Sequence, residues 1–191
     1  MTVRGYNTRG MNRKRLLLRT PIFTVIAERQ RIPRTGRVAE FIVLETGDWI
    51  NVVPVDDAGR ARLIRQPRAG SRRHELEVPG GLMDARDPSP LAAAKRELLE
   101  ETGCTAARWI PLGWVQPNPA FHRNRCHQFL ALGVRRARTQ SLDPGESIRV
   151  VPTRVRDLGR LIQTGVIRHA LVLTALHAAL ARPELRRWSG R

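Results

Sequence analysis

The chain has 191 residues, 41% of them hydrophobic, and its 34 Lys and Arg against 17 Asp and Glu give a formal net charge of +17. That length suits one folded domain with its own core. Two cysteines, Cys104 and Cys126, exclude a disulfide-built framework, and no apolar run approaches the ~18 residues needed to span a bilayer. Aromatic residues are only 5% of the chain, too few for a surface that stacks single-stranded bases. The positive field therefore favours an anionic small molecule, with nucleic acid a possible but less favoured partner.

Residues 1–20 read as a basic flexible arm whose apolar run, Leu16-Leu17-Leu18, is too short for a secretory core; the cytoplasm is the expected compartment. Short stretches rich in β-branched and aromatic residues follow at 22–27, 38–44 and 49–55, punctuated by Gly36 and Gly47-Asp48 as hairpin turns would be. Further strands are expected over 61–65 and 75–78, the latter ending at Pro79-Gly80-Gly81. Ser89 can cap a helix with Pro90 at its first position, where the missing N–H costs nothing. That helix runs over 90–102 to Gly103, a left-handed cap. Strands resume at 109–115 and 126–134, on either side of the loop "QPNPAFHRNR", and again at 148–151. Pro152 opens a helix to residue 163, Gly165 breaks it, and 166–181 closes the fold, leaving 183–191 as a tail. Mixed strands with three separated helices imply an α/β or α+β domain over 21–182, with an N-terminal hairpin region at about 22–55.

Glu97, Glu100 and Glu101 fall in the last two turns of the 90–102 helix. Carboxylates there face the negative end of the helix dipole and repel one another at three- and four-residue spacing. At 100° per residue the three lie within about a 100° arc, beside the arc of Leu91, Ala94 and Leu98 that can face a core. Arg96 can pair with Glu100 one turn on. A solvated acidic patch would also carry such residues, but a divalent cation resolves the crowding directly, since oxygen-only ligands suit Mg²⁺ or Mn²⁺.

The segment from Gly81 to Cys104 resembles the signature of the Nudix family. Its second half is complete as Arg96-Glu97-Leu98-Leu99-Glu100-Glu101-Thr102-Gly103. Its first half departs: Asp87 stands where a Glu is usual, and eight residues rather than seven separate it from Arg96. "RLIRQPR" followed by "HELEVPGGLMD" is similar to the Gln-x-Arg and Glu-x-Pro-Gly-Gly segments of the ADP-ribose pyrophosphatase branch. The resemblance implies an α/β/α sandwich with a mixed sheet, and Mg²⁺-dependent hydrolysis of a nucleoside diphosphate linked to another moiety, ADP-ribose or a nucleotide sugar. It also implies a homodimer through the hairpin region at about 22–55. Glu97, Glu100, Glu101, Glu146 and the backbone of Gly80 would hold the metal, and Arg96 would orient the helix carboxylates. Arg68 would contact the diphosphate, with Leu82, Asn118, Pro119 and Ala120 on the substrate side. The glutamate that often serves as base in this branch is replaced by Pro144, leaving Glu146, Asp143 and a helix glutamate as candidates. Two alternatives are the same chemistry on a dinucleotide, coenzyme A or capped RNA, and a non-catalytic nucleotide-sensing regulator of this fold. Cys126-His127, on a strand, reads as a dipeptide that packs or pairs rather than binding metal, and His169 and His177 read as ordinary helix-face residues.

Overall fold

The β-branched runs near the N-terminus pair locally, because each is followed at once by a turn that returns the chain. The computed structural model describes residues 14–189, and the chain divides into two units. The first comprises the chain up to Gly47 together with Asn118–Asn124. Its strands β1 (Lys14–Arg19), β2 (Thr24–Arg31) and β3 (Val38–Glu45) form an antiparallel sheet in that order. The Thr20 hydroxyl builds the first turn, accepting from the Phe23 amide at 3.0 Å and donating to the Phe23 carbonyl at 2.8 Å. Gly36, at φ +67°, allows the second. The Leu44 amide donates to Phe121 O at 2.8 Å, and Arg123 bridges Glu28 and Glu45.

Two expectations change here. The stretch 14–19 of the basic arm is a strand, because β2 offers its backbone a partner; residues 1–13 lie outside the described residues. The stretch 49–55 does not belong with the hairpin. Its residues are buried on both faces, as in a central strand.

The second unit comprises Asp48–Pro117 and the chain from Arg125 onward. Its main strands are β4 (Trp49–Val55), β5 (Arg60–Arg68), β6 (Arg73–Glu77), β8 (Arg108–Val115), β9 (Cys126–Leu132) and β11 (Arg149–Arg154). They form a mixed sheet in the order β11-β5-β4-β9-β8, with β6 paired to β5. The short strands β7 (Cys104–Thr105) and β10 (Arg135–Arg136) pair separately. Helix α1 (Pro90–Thr102) packs on one core cluster with Ile50, Val52 and Phe129. Helices α2 (Val155–Gln163) and α3 (Ala170–Leu180) pack on another with Val53, Leu63 and Leu130. Helices thus cover both faces of the sheet. No helix among the described residues is long and apolar enough to cross a membrane.

One irregularity of the sheet creates the site. β4 runs parallel to β9 along its whole length but pairs with β5 only at Val55–Ala61. Beyond that point β5 pairs with β6 instead, and the turn after β6 fills the gap beside β4. There Val52 N–H donates to Pro79 O at 2.8 Å and Ile50 N–H to Gly81 O at 2.9 Å. Pro54, which has no N–H to give, falls next in this alternation, where the strands part and no donor is needed.

The later boundaries also move. Pro152 lies within β11, opposite Arg62, where an edge strand tolerates it, so α2 begins at Val155. Gly165, at φ +66°, ends the turn after α2, and α3 begins only at Ala170. The C-terminal stretch read as a tail forms a 3-10 turn (Pro183–Leu185) and helix α4 (Arg186–Ser189). Leu185 is fully buried in the α2–α3 core, which fixes that stretch in place.

Candidate active site

Helix α1 forms where the sequence places it. Ser89 Oγ accepts from the Ala92 amide at 3.2 Å, Pro90 occupies the first turn, and Gly103 at φ +68° donates its N–H to Leu99 O at 2.9 Å. Its buried face is not purely apolar. Alongside Ala93, Ala94 and Leu98 it buries Glu97, 8% exposed, and Glu101, 3% exposed. Two of the three clustered carboxylates are therefore taken out of water, which is a larger cost than the helix-dipole penalty.

Each buried carboxylate meets one glycine of the Pro79-Gly80-Gly81 turn. Gly80 N–H donates to Glu101 Oε2 at 2.8 Å. Gly81 faces Glu97 so closely that a Cβ would lie 2.7 Å from Glu97 Oε1. A side chain at Gly80 is excluded as well, since its Cβ would lie 2.0 Å from Ile50 O. Burial raises the Glu101 pKa well above the usual carboxylate range, with the charges of Glu97 and Glu146 adding to it and the Gly80 amide opposing. Burial likewise pushes Glu97 up to about 7, against the opposing pull of Arg96.

Arg96 is the hub on the outer side of the cluster. Its Nε and Nη2 grip Asp87 at 3.1 and 2.8 Å, while Nη1 donates to Glu97 Oε1 and Glu100 Oε2, both at 2.9 Å. Nη2 also donates to Leu82 O at 3.2 Å. The hydrogen bond to Asp87 foremost, with the charge of Glu97 and the bonds to Glu97 and Glu100, raises the Arg96 pKa. The displaced acid Asp87 thus has a structural task, holding the far edge of the guanidinium so that the near edge meets the helix carboxylates. One extra loop residue is accommodated without losing the pair.

Behind the turn, Glu77 at the end of β6 takes Arg68 edge-on, with Nε–Oε1 at 3.0 Å and Nη2–Oε2 at 2.6 Å. His169 Nδ1, just before α3, lies 3.6 Å from Glu77 Oε1. Burial pushes the Glu77 carboxyl up, but His169 and Arg68 outweigh it and hold it at about 2. A cavity of about 880 Å³ opens here, lined among others by Trp49, Asn51, Arg68, Glu77, Leu82 and His169, with Gly80 and Gly81 in its wall.

The structure therefore brings together Gly80, Leu82, Arg96, Glu97, Glu100 and Glu101, with Arg68 on the same cavity as Gly80 and Leu82. Glu146 is exposed on its loop, where it accepts from the Asp143 amide at 3.0 Å; its charge is felt at Glu97, Glu101 and Arg68. Asn118, Pro119 and Ala120 belong to the first unit, where Asn118 Oδ1 accepts from the Ala120 amide at 3.2 Å, and are not gathered with the carboxylates in one unit. Glu77 and His169 line the cavity as well, although the sequence reading gives neither a role in the site. Glu77 carries a local signal as the glutamate two residues before Pro79 in the Glu-x-Pro-Gly-Gly segment, whereas nothing local distinguishes His169 from His177. Cys126 packs as expected, its buried thiol pushed up to about 12, and His127 pairs with Asp48 at 3.0 Å.

The carboxylates fit a hard divalent cation by their donor chemistry. Glu97 Oε2, Glu100 Oε1 and Glu101 Oε1 accept no hydrogen bond from the described residues, because Arg96 and Gly80 engage only the opposite oxygens. No three acidic, imidazole or thiol side chains among the described residues are already drawn together closely enough to hold an ion.

The NUDIX domain model matches residues 47–174. The chain belongs to the Nudix family. Divalent-metal dependence is typical of that family. This Nudix chain is 32% identical over 114 residues to the ADP-ribose pyrophosphatase of Mycobacterium tuberculosis (strain ATCC 25618 / H37Rv), covering 60% of this chain and 55% of that protein. It thus spans about half the length of that relative. It is 27% identical over 143 residues to the ADP-ribose pyrophosphatase of Bacillus subtilis (strain 168), covering 74% and 76% of the two chains. A solved structure titled "Crystal structure of ADP compounds hydrolase" superposes with a TM-score of 0.75 at 21% identity, over 90% of this chain and 95% of that one. That likeness bears out the mixed α/β fold.

The raised pKa of Glu97 has a stability consequence in the metal-free Nudix protein. Its folded value of about 7 exceeds the ordinary glutamate value of 4.5, so the folded state holds the proton more tightly. Stability is then greatest below the lower value and falls as pH rises through the higher one, by roughly 3 kcal/mol in total. Urea unfolding in chelator at pH 5 and pH 8 should show this loss in the wild type and a smaller one in Glu97→Gln, where Glu101 still contributes. Equal pH dependence in the two proteins would contradict the burial argument.

Proposed function

We propose that this chain is a Mg²⁺-dependent pyrophosphatase, Mn²⁺ serving as well, that hydrolyses a nucleoside diphosphate linked to another moiety, namely ADP-ribose or a nucleotide sugar. The observation that carries the reading is the pair of buried carboxylates with raised pKa values and open oxygens, packed on the glycine turn of a cavity of about 880 Å³. The names of the two curated relatives support the choice of ADP-ribose. Both free cysteines are buried, in keeping with the proposed cytoplasmic location.

In this reading Glu97, Glu100, Glu101, Glu146 and the Gly80 carbonyl hold the ion. When bound, the metal supplies charge neutralisation at the phosphates and makes water more acidic. The chain's own groups do the positioning. Arg96, fixed by Asp87, sets the orientation of Glu97 and Glu100. Arg68 is held edge-on by Glu77, leaving its Nη1 edge for a diphosphate oxygen. The exposed Glu146 acts beside the metal, and Leu82, Asn118, Pro119 and Ala120 are assigned to the substrate side.

Glu101→Gln keeps an oxygen for the Gly80 amide but removes ligand charge, so hydrolysis of ADP-ribose should fall at least about a hundredfold with the fold intact. Arg68→Lys keeps charge but cannot grip Glu77 edge-on and a phosphate at once, and should lose roughly tenfold or more. A phosphatase-coupled phosphate-release assay over nucleoside diphosphate derivatives, with circular dichroism as the folding control, checks both. An unslowed Glu101→Gln enzyme would remove the carboxylate from the chemistry.

We further propose a homodimer through the N-terminal strands. Leu16, Leu17, Leu18, Ile22, Phe41 and Ile42 are exposed there, more apolar surface than a lone strand set usually shows. Sedimentation equilibrium at micromolar concentration should give about twice the 21.6 kDa chain mass. A single species of chain mass would contradict it.

A further inference from the structure

One polar group in the cavity wall is used neither by the scaffold nor by the proposed metal site. Asn51 stands on β4 between Ile50 and Val52, the two residues whose amides clamp Gly81 and Pro79. Its side chain abuts the residue between them: a Cβ on Gly80 would lie 2.9 Å from Asn51 Oδ1. Asn51 lines the cavity, yet is only 8% exposed. Its Nδ2 is shielded from solvent and has no hydrogen-bond partner among the described residues.

The neighbouring carboxamide shows that this depth of the fold can satisfy such a group. Gln128 is the register partner of Asn51 on β9. Its Nε2 donates to Thr174 Oγ1 at 2.7 Å and to Leu171 O at 3.3 Å, both on α3. Asn51 receives no equivalent. A buried donor left unmade carries its full desolvation penalty, which an apolar side chain of the same shape avoids. Such breaches of local consistency are expected where a ligand completes the set. The position agrees, because the carboxamide lies beside Gly80, on the cavity that Arg68 also lines.

We propose that Asn51 is a substrate-recognition residue whose Nδ2 donates to an acceptor oxygen of the bound nucleoside diphosphate derivative. The inference rests on the pyrophosphatase reading and deepens it by naming a neutral donor beside the cationic Arg68. A donor buried for this purpose discriminates sharply against ligands that leave it unpaired.

Asn51→Leu and Asn51→Asp separate this role from a packing role. Leucine removes the unmet donor, and aspartate keeps the shape while replacing the donor with an acceptor. Titration calorimetry of ADP-ribose into chelator-treated protein reads binding without turnover; kcat and KM with Mg²⁺, and thermal midpoints, complete the set. The expected result is a midpoint unchanged or raised in Asn51→Leu, with binding about tenfold or more weaker in both variants. KM should rise more than kcat falls. Should the leucine protein fail to fold, the aspartate protein carries the same comparison. Wild-type binding and KM in the folded variants would overturn the proposal while leaving the enzyme reading intact. A wild-type protein that neither binds nor hydrolyses ADP-ribose would overturn the substrate reading, and this inference with it.

Discussion

The desolvation of Glu97 and Glu101 against the Pro79-Gly80-Gly81 turn is the constraint around which this molecule is arranged. Two carboxylates on the buried face of one helix would ordinarily unfold it or be replaced. Here each is met by backbone that only glycine allows to come so near, with Gly80 N–H on Glu101 at 2.8 Å and no room for a Cβ between Gly81 and Glu97. Arg96 adds a cation at Glu97 and is itself tied to Asp87. These devices reduce the burial cost without removing it, since both pKa values stay raised. The remainder is what a divalent cation would neutralise.

The sheet is built to hold that turn. β4 and β5 part after a single paired position, and the amides of Ile50 and Val52 take up the turn's carbonyls in place of a neighbouring strand. Glu77 ends β6 one step before the turn and keeps Arg68 on the cavity side. The helix supplying the carboxylates and the helices behind the sheet rest on separate cores, so the turn is fixed from β4 while α1 is fixed from its own packing. Rigid support of this kind is what positions ligands for a cation or a diphosphate.

Much of this was legible in the chain. Ser89, Pro90 and Gly103 bound α1 correctly because capping is local chemistry, and the glutamate run marked the site because it violates local chemistry. Burial was not legible: helical spacing placed the carboxylates at the rim of the apolar face, while the structure puts Glu97 and Glu101 inside it, a result of the glycine turn from 16 to 21 residues earlier packing back on the helix. The pairing of Asp87 with Arg96 was hidden by the extra loop residue, which shifts spacing but not reach. His169 and Asn51 carry no local signal, since what distinguishes them is the strand divergence that brings β4 and the start of α3 to one cavity. Pro152 and 14–19 were misread because edge-strand pairing overrides what proline and arginine suggest in isolation.

If raised carboxylate pKa values are the imprint of an intended cation, binding that cation must expel protons. Calorimetric titration of Mn²⁺ or Mg²⁺ at pH 6 and pH 8.5, in paired buffers of different ionisation enthalpy, measures the number released. The account predicts about one to two protons per cation at pH 6, fewer at pH 8.5, and a smaller release at pH 6 in Glu97→Gln. Binding with no proton release at pH 6 would show that the buried glutamates are already ionised, and would contradict the account at its base.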